Sequence, residues 1–383
     1  MFKRSETDKR RVIIVDVSHL FYKFQFSRIP PMSATVKVGG QNVTLDTKLP
    51  ALTIKCLNRW ANDGINPLVV CFDSRGCSKS RKMYFTKADG CDTVTSSTGE
   101  GYKGNRESQN GNFYDSINLT LNLLLQGGVT CLCNSAYEAD DLIKAAVDKA
   151  KIQYPDLPID VITGDADLVP LVDDQVSVFI TSRKTTWAEE KGIEKTHYVQ
   201  VTPNNYQGYL EDLSAYKNLS LPYNTLLLAK LLRGDKSDDI SGYPKFTPTK
   251  FRKLVDNLLE DGYDLSDLFR YDSPIETVYY KGTDDIIPED KLSEVPKECR
   301  DYRYQEPPCL TRMCEVLSNY LDEDQINHIR FVYNGINLNG AFTGLGEMFD
   351  RRPAKMLADV KGYDIVKLSK EVWEVARINL PIK

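Results

Sequence analysis

"VTCLCNSAYEADDLIKAAVDKA", residues 129–150, sets a strand and a helix back to back, and its reading decides the fold. "VTCLC" is a short apolar run of strand length. Behind it Ala139, Leu142, Ile143, Ala146, Val147 and Ala150 recur at the spacing of one helix face. Between the two, Glu138, Asp140 and Asp141 crowd into the opening of the helix. The unpaired N–H groups of a first helical turn favour negative charge and account for one or two acids. A third calls for positive charge from another source.

The same grammar recurs along the chain. "RVIIVDV" (11–17) reads as a buried strand ending near Asp16, and "NPLVVCFDSRG" as a second ending at Asp73. "PIDVITGDADLVPLV" repeats strand, turn and helix, with Asp165 and Asp167 in the turn and Pro170 suited to the first turn of the helix. "LPALTIKCLNRWAND" and "FYDSINLTLNLLLQGG" have helical spacing, the second stopped by Gly127-Gly128. "VSVFITS" and "THYVQVT" complete the sheet. Strands alternating with helices predict an α/β fold with a mainly parallel sheet, whose sites lie at the carboxyl ends of the strands. Asp16, Asp73, the Glu138/Asp140/Asp141 group and the Asp165/Asp167 pair then share one edge.

Composition narrows the function classes. The chain has 383 residues, 41% hydrophobic and 27% charged, ordinary for a soluble globular protein of one large domain or two. Apolar runs are too short to span a bilayer or form a signal-peptide core, so a cytoplasmic location is expected. Nine cysteines without paired CxxC motifs argue against a disulfide framework or a zinc ribbon. Three histidines, His19, His197 and His328, offer no zinc-type spacing. Net charge is −5, yet Arg75, Lys79, Arg81, Lys82, Lys87, Lys103 and Arg106 stand against only Asp89, Asp92 and Glu100 between them. A stretch this long without a core-forming period is functional or unstructured. After about residue 216, "LPYNTLLLAKLLRG" and "TPTKFRKLVDNLLEDG" read as helices around the turn "DKSDDISGYPKF". Segment 271–312 has weak periodicity, and "LTRMCEVLSNYL" and "DQINHIRFVY" look helical.

The set "VDVSHLFYK", "FDS", "YKGNR", "EADD", "TGDAD" and "LRGDKSDDISG" resembles the 5′-nuclease superfamily of flap endonucleases and 5′→3′ exonucleases, above all its tailed-phage members and the phage-type ribonuclease H. The likeness covers roughly residues 11–260. It implies a PIN-like, resolvase-like core over 1–216 with a twisted sheet and helices on both faces. A basic arch or gateway would lie at about 75–112, a helix–three-turn–helix at 217–270 and a mostly helical region at 271–383. The implied activity is metal-dependent phosphodiester hydrolysis near 5′ ends and duplex–single-strand junctions, in flap removal or primer removal during replication or repair. By matching position, Asp16, Asp73, Glu138, Asp140, Asp141, Asp165, Asp167, Asp235 and Asp238 are the expected metal-site acids. Asp141 and Asp238 are expected one step back from the ions. Lys103, Arg106 and Lys23 are the expected phosphate-stabilising cations.

Phosphodiester hydrolysis suits two divalent ions about 3.5–4 Å apart, and an all-oxygen donor set suits Mg²⁺, with Mn²⁺ as substitute, rather than zinc. Arg75, Lys79, Arg81 and Lys82 are expected to line the gateway, with Tyr84, Phe85 and Tyr102 stacking on bases. Lys245, Lys250, Arg252 and Lys253 are expected to contact duplex phosphates. Expected partners are DNA with a 5′ flap, fork or nick, an RNA–DNA hybrid, and candidate replication proteins such as a polymerase or single-strand-binding protein; a monomer without membrane contact is expected. In place of the family's "GxxGIGxK" hairpin this chain has "GYPKFTPTK", which puts the shape of the duplex grip in question. Two other readings stay open: a PIN-type ribonuclease, which lacks the arch and second helical element, and a non-catalytic DNA-binding scaffold, in which the acids are expected to degenerate.

Overall fold

The computed structural model describes residues 10–26, 28, 30–38, 41–61, 66–73, 77, 85, 111–126, 128–134, 137–181, 198–206, 209, 225–236, 238–269, 275–288, 291, 292 and 294–336. They fall into two compact units: residues 1–79, 106–213 and 343–383 in the first, 80–105 and 214–342 in the second.

The first unit opens with β1 (Val12–Asp16) running directly into α1 (Val17–Gln25). The hairpin β2 (Ser33–Val38) and β3 (Gln41–Asp46) follows, then α2 (Lys48–Ala61) and β4 (Leu68–Asp73). Next come α3 (Gly111–Gln126), β5 (Thr130–Asn134), α4 (Ala139–Gln153) and β6 (Ile159–Thr163). A short 3-10 turn (Ala166–Leu171), β7 (Val176–Thr181) and β8 (Tyr198–Val201) close the unit. The six main strands form one sheet in the order β5-β4-β1-β6-β7-β8, parallel throughout except for β8, which runs against β7.

Burial on both faces makes the central strands continuous apolar runs rather than alternating ones. Val12, Ile13, Ile14 and Val15 are each fully buried. Ile13, Val15, Val70 and Phe72 pack into one core with Leu20 and Phe21 of α1, Ile54 and Leu57 of α2, and Leu123 of α3. The apolar stripe of α4, with Leu142, Ile143 and Ala146 buried, contacts β1, β4, β5 and β6 apart from that cluster. The expected α/β architecture is thus present, with helices on both faces. After β6, however, the chain forms only a 3-10 turn, and Pro170 lies near its end rather than in its first turn. The 33–46 hairpin was not read from the sequence.

In the second unit α5 (Thr225–Arg233) stops at Gly234, whose φ is +75°. A two-residue ladder, β9 (Gly234–Asp235) with β10 (Ile240–Ser241), leads to α6 (Pro248–Glu260). A Cβ on Gly234 would meet the Ile240 carbonyl and the Gly242 nitrogen at 2.3 Å, so this ladder closes only with glycine there. Thr247 caps α6 by accepting from the Lys250 N–H, with Pro248 at the first helical position. Beyond lie the hairpin β11 (Ile275–Tyr280) and β12 (Arg300–Gln305), then α7 (Pro308–Leu317) and α8 (Glu323–Ile336). The weakly periodic segment therefore holds a β-hairpin. Among the described residues no helix is long and apolar enough to cross a membrane.

Candidate active site

Asp16 and Asp73 are the last residues of the adjacent strands β1 and β4, so backbone pairing alone brings both to the carboxyl edge. Each carboxylate is held by neutral donors. The His19 N–H (3.2 Å) and the Thr163 hydroxyl (3.0 Å) donate to Asp16. The Ser18 hydroxyl (2.6 Å) and the Ala139 N–H (2.8 Å) donate to Asp73. The Ala139 bond ties the opening of α4 to the end of β4 across the edge.

No Lys or Arg side chain among the described residues pairs with Asp16 or Asp73. Burial, followed by the neighbouring Asp73 charge, pushes the Asp16 carboxyl up to about 7, with Asp165 adding to the rise. Burial raises Asp73 as well, against the Ser18 and Ala139 donors, and Asp140 and Glu138 press in the same direction. Carboxylates from four strand ends, β1, β4, β5 and β6, thus feel one another. The helix-start explanation fits only part of the acidic group: Asp141, 2% exposed, turns back to accept the Glu138 N–H at 3.2 Å. Asp165 caps the 3-10 turn by accepting from the Asp167 N–H (2.9 Å), while its own N–H donates to Thr163.

Ser18, Thr163 and the Ala139 amide were missed in the sequence, as was His19 as a neighbour of the acids. The His19 ring lies against Gly164, where a Cβ would meet its Nδ1 at 2.1 Å. The signal available was their adjacency to the acids in "DVSH" and "TGDAD". Lys23, one turn beyond His19 on α1, is half-buried with its Nζ over the Tyr198 ring, and burial lowers its pKa.

In the second unit Asp235 forms a buried ion pair with Lys230 at 2.9 Å. Asp238 is described in the turn that follows, while Lys245, Lys250, Arg252 and Lys253 are all exposed around the start of α6. Phe85, a candidate for base stacking, instead lies edge-on to Phe331 (centroids 5.7 Å), close against the α8 backbone at Gly335. Arg75, Lys79, Arg81, Lys82, Tyr84, Tyr102, Lys103 and Arg106 lie outside the described residues.

The cluster's chemistry is that of a hard-cation site: oxygen donors only, negative charge in excess, and, among the described residues, no cationic side chain paired with Asp16 or Asp73. The residues present therefore fit divalent ions. DNA polymerase I of Mycobacterium leprae is 34% identical over 149 residues, 38% of this chain and 14% of that protein. The 5′-3′ exonuclease of Bacillus subtilis is 28% identical over 166 residues, 42% of this chain and 49% of that one. The chain thus spans about half of the exonuclease and a small fraction of the polymerase. Among solved structures, the bacteriophage T5 flap endonuclease in a pseudo-enzyme–product complex with DNA and metal ions superimposes with a TM-score of 0.46 at 14% identity, covering 96% of this chain and 100% of that one. Residues 11–197, just under half of this chain, match the family described as 5′-3′ exonuclease, N-terminal resolvase-like domain.

Proposed function

We propose that this chain is a structure-specific 5′ nuclease, hydrolysing phosphodiesters near the 5′ ends of DNA strands or of RNA in RNA–DNA hybrids, in replication or repair. The observation that carries this reading is the half-buried Asp16/Asp73 pair, raised in pKa and, among the described residues, without a cationic side-chain partner, inside a stretch that matches this family. Asp16, Asp73, Glu138 and Asp140 are assigned to one Mg²⁺ or Mn²⁺ ion, and Asp165 and Asp167 to a second. When bound, such ions supply positive charge to the scissile phosphate and an activated water.

The remaining roles fall to the protein itself. Ser18, Thr163 and the Ala139 amide fix the carboxylate orientations before any ion arrives. The half-buried Lys23 ammonium offers a phosphate a poorly solvated charge, which counts for more than one in open water. Lys103 and Arg106 are assigned the same kind of contact, and the exposed lysines and arginine around the start of α6 the duplex backbone. In this reading Asp141 serves the helix start, and Asp235, ion-paired with Lys230, keeps with Asp238 its assignment as a metal-site acid.

The test is cleavage of labelled 5′-flap, nicked, gapped and RNA–DNA hybrid substrates, with Mg²⁺ and with chelator. Cleavage is expected only with metal. Asp167→Asn is expected to lower it by more than about 10²-fold with binding to the substrate intact; full cleavage by that variant at matched Mg²⁺ rejects the assignment.

A further inference from the structure

We propose that Tyr198 is a positioning residue for Lys23: its ring fixes the ammonium, and a nucleic-acid phosphate takes the place of the anion that Lys23 lacks among the described residues. The inference rests on the nuclease reading for its biological use, but its geometry stands apart from that reading.

Tyr198 is the first residue of β8 and pairs with Thr181, the last of β7. Because β8 alone runs antiparallel, its beginning lies at the edge where the other strands end, the edge of the acids. The ring is fixed on three sides. Trp60, 6% exposed, meets it edge-on with centroids 5.8 Å apart and planes at 81°. His19 meets it edge-on at 5.9 Å and 80°, with the Tyr198 hydroxyl 3.4 Å from its Nε2. The Lys23 Nζ sits 4.3 Å from the ring centroid. His19 in turn lies against Gly164, next to Asp165, and its N–H holds Asp16. A chain of contacts therefore runs from the acids through His19 and Tyr198 to Lys23.

A half-buried ammonium ordinarily pairs with a carboxylate. Among the described residues no Asp or Glu lies within ion-pair distance of Lys23; the negative face of the Tyr198 ring and the Cys56 thiol are the neighbours that favour its charge. A ring covers one side of the cation only. The other side is left for an anion, and in this position the chemistry fits a backbone phosphate. The sequence gives no hint of the pairing, since 175 residues separate the two partners.

The test is a double-substitution cycle on the full chain. Affinity for a forked DNA duplex is measured in chelator across a salt series, and cleavage separately with Mg²⁺. Lys23→Ala is expected to lower the slope of log affinity against log salt by about one. Tyr198→Leu is expected to weaken binding by about 3- to 30-fold, the range of a partly desolvated cation–π contact, and to shift the slope the same way. In the Lys23→Ala background the same change should cost less than about twofold. Tyr198→Phe, which keeps the ring and drops the hydroxyl, should recover most of the loss. Equal effects of Tyr198→Leu in both backgrounds overturn the proposal, as does an unchanged slope in Lys23→Ala. If the leucine variant fails to fold, a series of fluorinated phenylalanines at position 198 weakens the ring face without changing its shape. Affinity should then fall with each added fluorine, and a flat series overturns the proposal. Absence of metal-dependent cleavage by the unaltered chain, with the binding cycle as expected, removes the nuclease reading and leaves the Tyr198 inference standing.

Discussion

A hydroxyl 2.6 Å from Asp73 matters because it donates without adding charge. Ser18 orients one lone pair of the carboxylate and leaves the rest for a cation. Ser18→Ala is expected to lower metal affinity or activity by about 10- to 100-fold, read as a shift in the Mg²⁺ concentration for half-maximal cleavage. A variant with unchanged metal response refutes that role. At this scale the acids were legible, since an acid at the end of an apolar strand has few structural reasons to be there. Ser18 and Thr163 were not, because hydroxyls next to strand ends are common and only coordinates show which carboxylate each one serves. The Ala139 amide was beyond reach: a backbone donor leaves no mark in the residue type. Phe85 stayed open for the opposite reason, its aromatic character suiting a base and the side of α8 equally.

Elements carry two further outcomes. The turn that opens α6 places Lys245 at a φ of +59°, just after Pro244, with the Phe246 N–H donating to the Tyr243 carbonyl at 3.2 Å. A residue with a Cβ is strained there, and glycine is not. The sequence departure from a glycine-rich hairpin therefore keeps a left-handed turn and adds an exposed cation. Lys245→Gly is expected to hold or raise thermal stability, by up to about 1 kcal/mol, while weakening duplex binding; a loss of stability in a thermal melt contradicts this. In α8, His328 is 1% exposed, and among the described residues neither ring nitrogen has a hydrogen-bond partner. Burial lowers its pKa to about 4, outweighing the nearby Leu231 backbone. The unfolded chain, with the ordinary histidine value, binds the proton first as pH falls. Stability is therefore full above about 6.5 and declines toward 4, by roughly 3 kcal/mol from this group. His328→Phe, which keeps an edge-on ring for Tyr243, should flatten that decline in denaturant melts between pH 6.5 and 4. Helices were legible here through apolar spacing, Thr247-Pro248 at the start of α6 and Gly234 at the end of α5. The two hairpins were not. The strands of β11 and β12 pair across 19 intervening residues, a distance over which no turn signal operates.

Over the whole molecule, the sequence changes character near residue 216, and the second unit takes in Ser214–Phe342. The packing of Phe85 against α8 was not readable, because a basic stretch carries no mark of which core it joins. The reversed direction of β8 has a practical side as well. The family match ends at residue 197, one position before this strand begins, so a fragment cut at that limit keeps Asp16, Asp73, Glu138, Asp140, Asp141, Asp165 and Asp167. It also strips the partner from β7, whose Val178, Phe179 and Ile180 are at most 3% exposed in the intact chain. An apolar strand with a bare row of amides and carbonyls recruits strands from other molecules. A fragment of residues 10–197 should therefore scatter light and sediment on concentration, whereas one carried through residue 213 should stay dispersed, and laboratories trimming this domain by homology alone would meet an insoluble product for want of four residues.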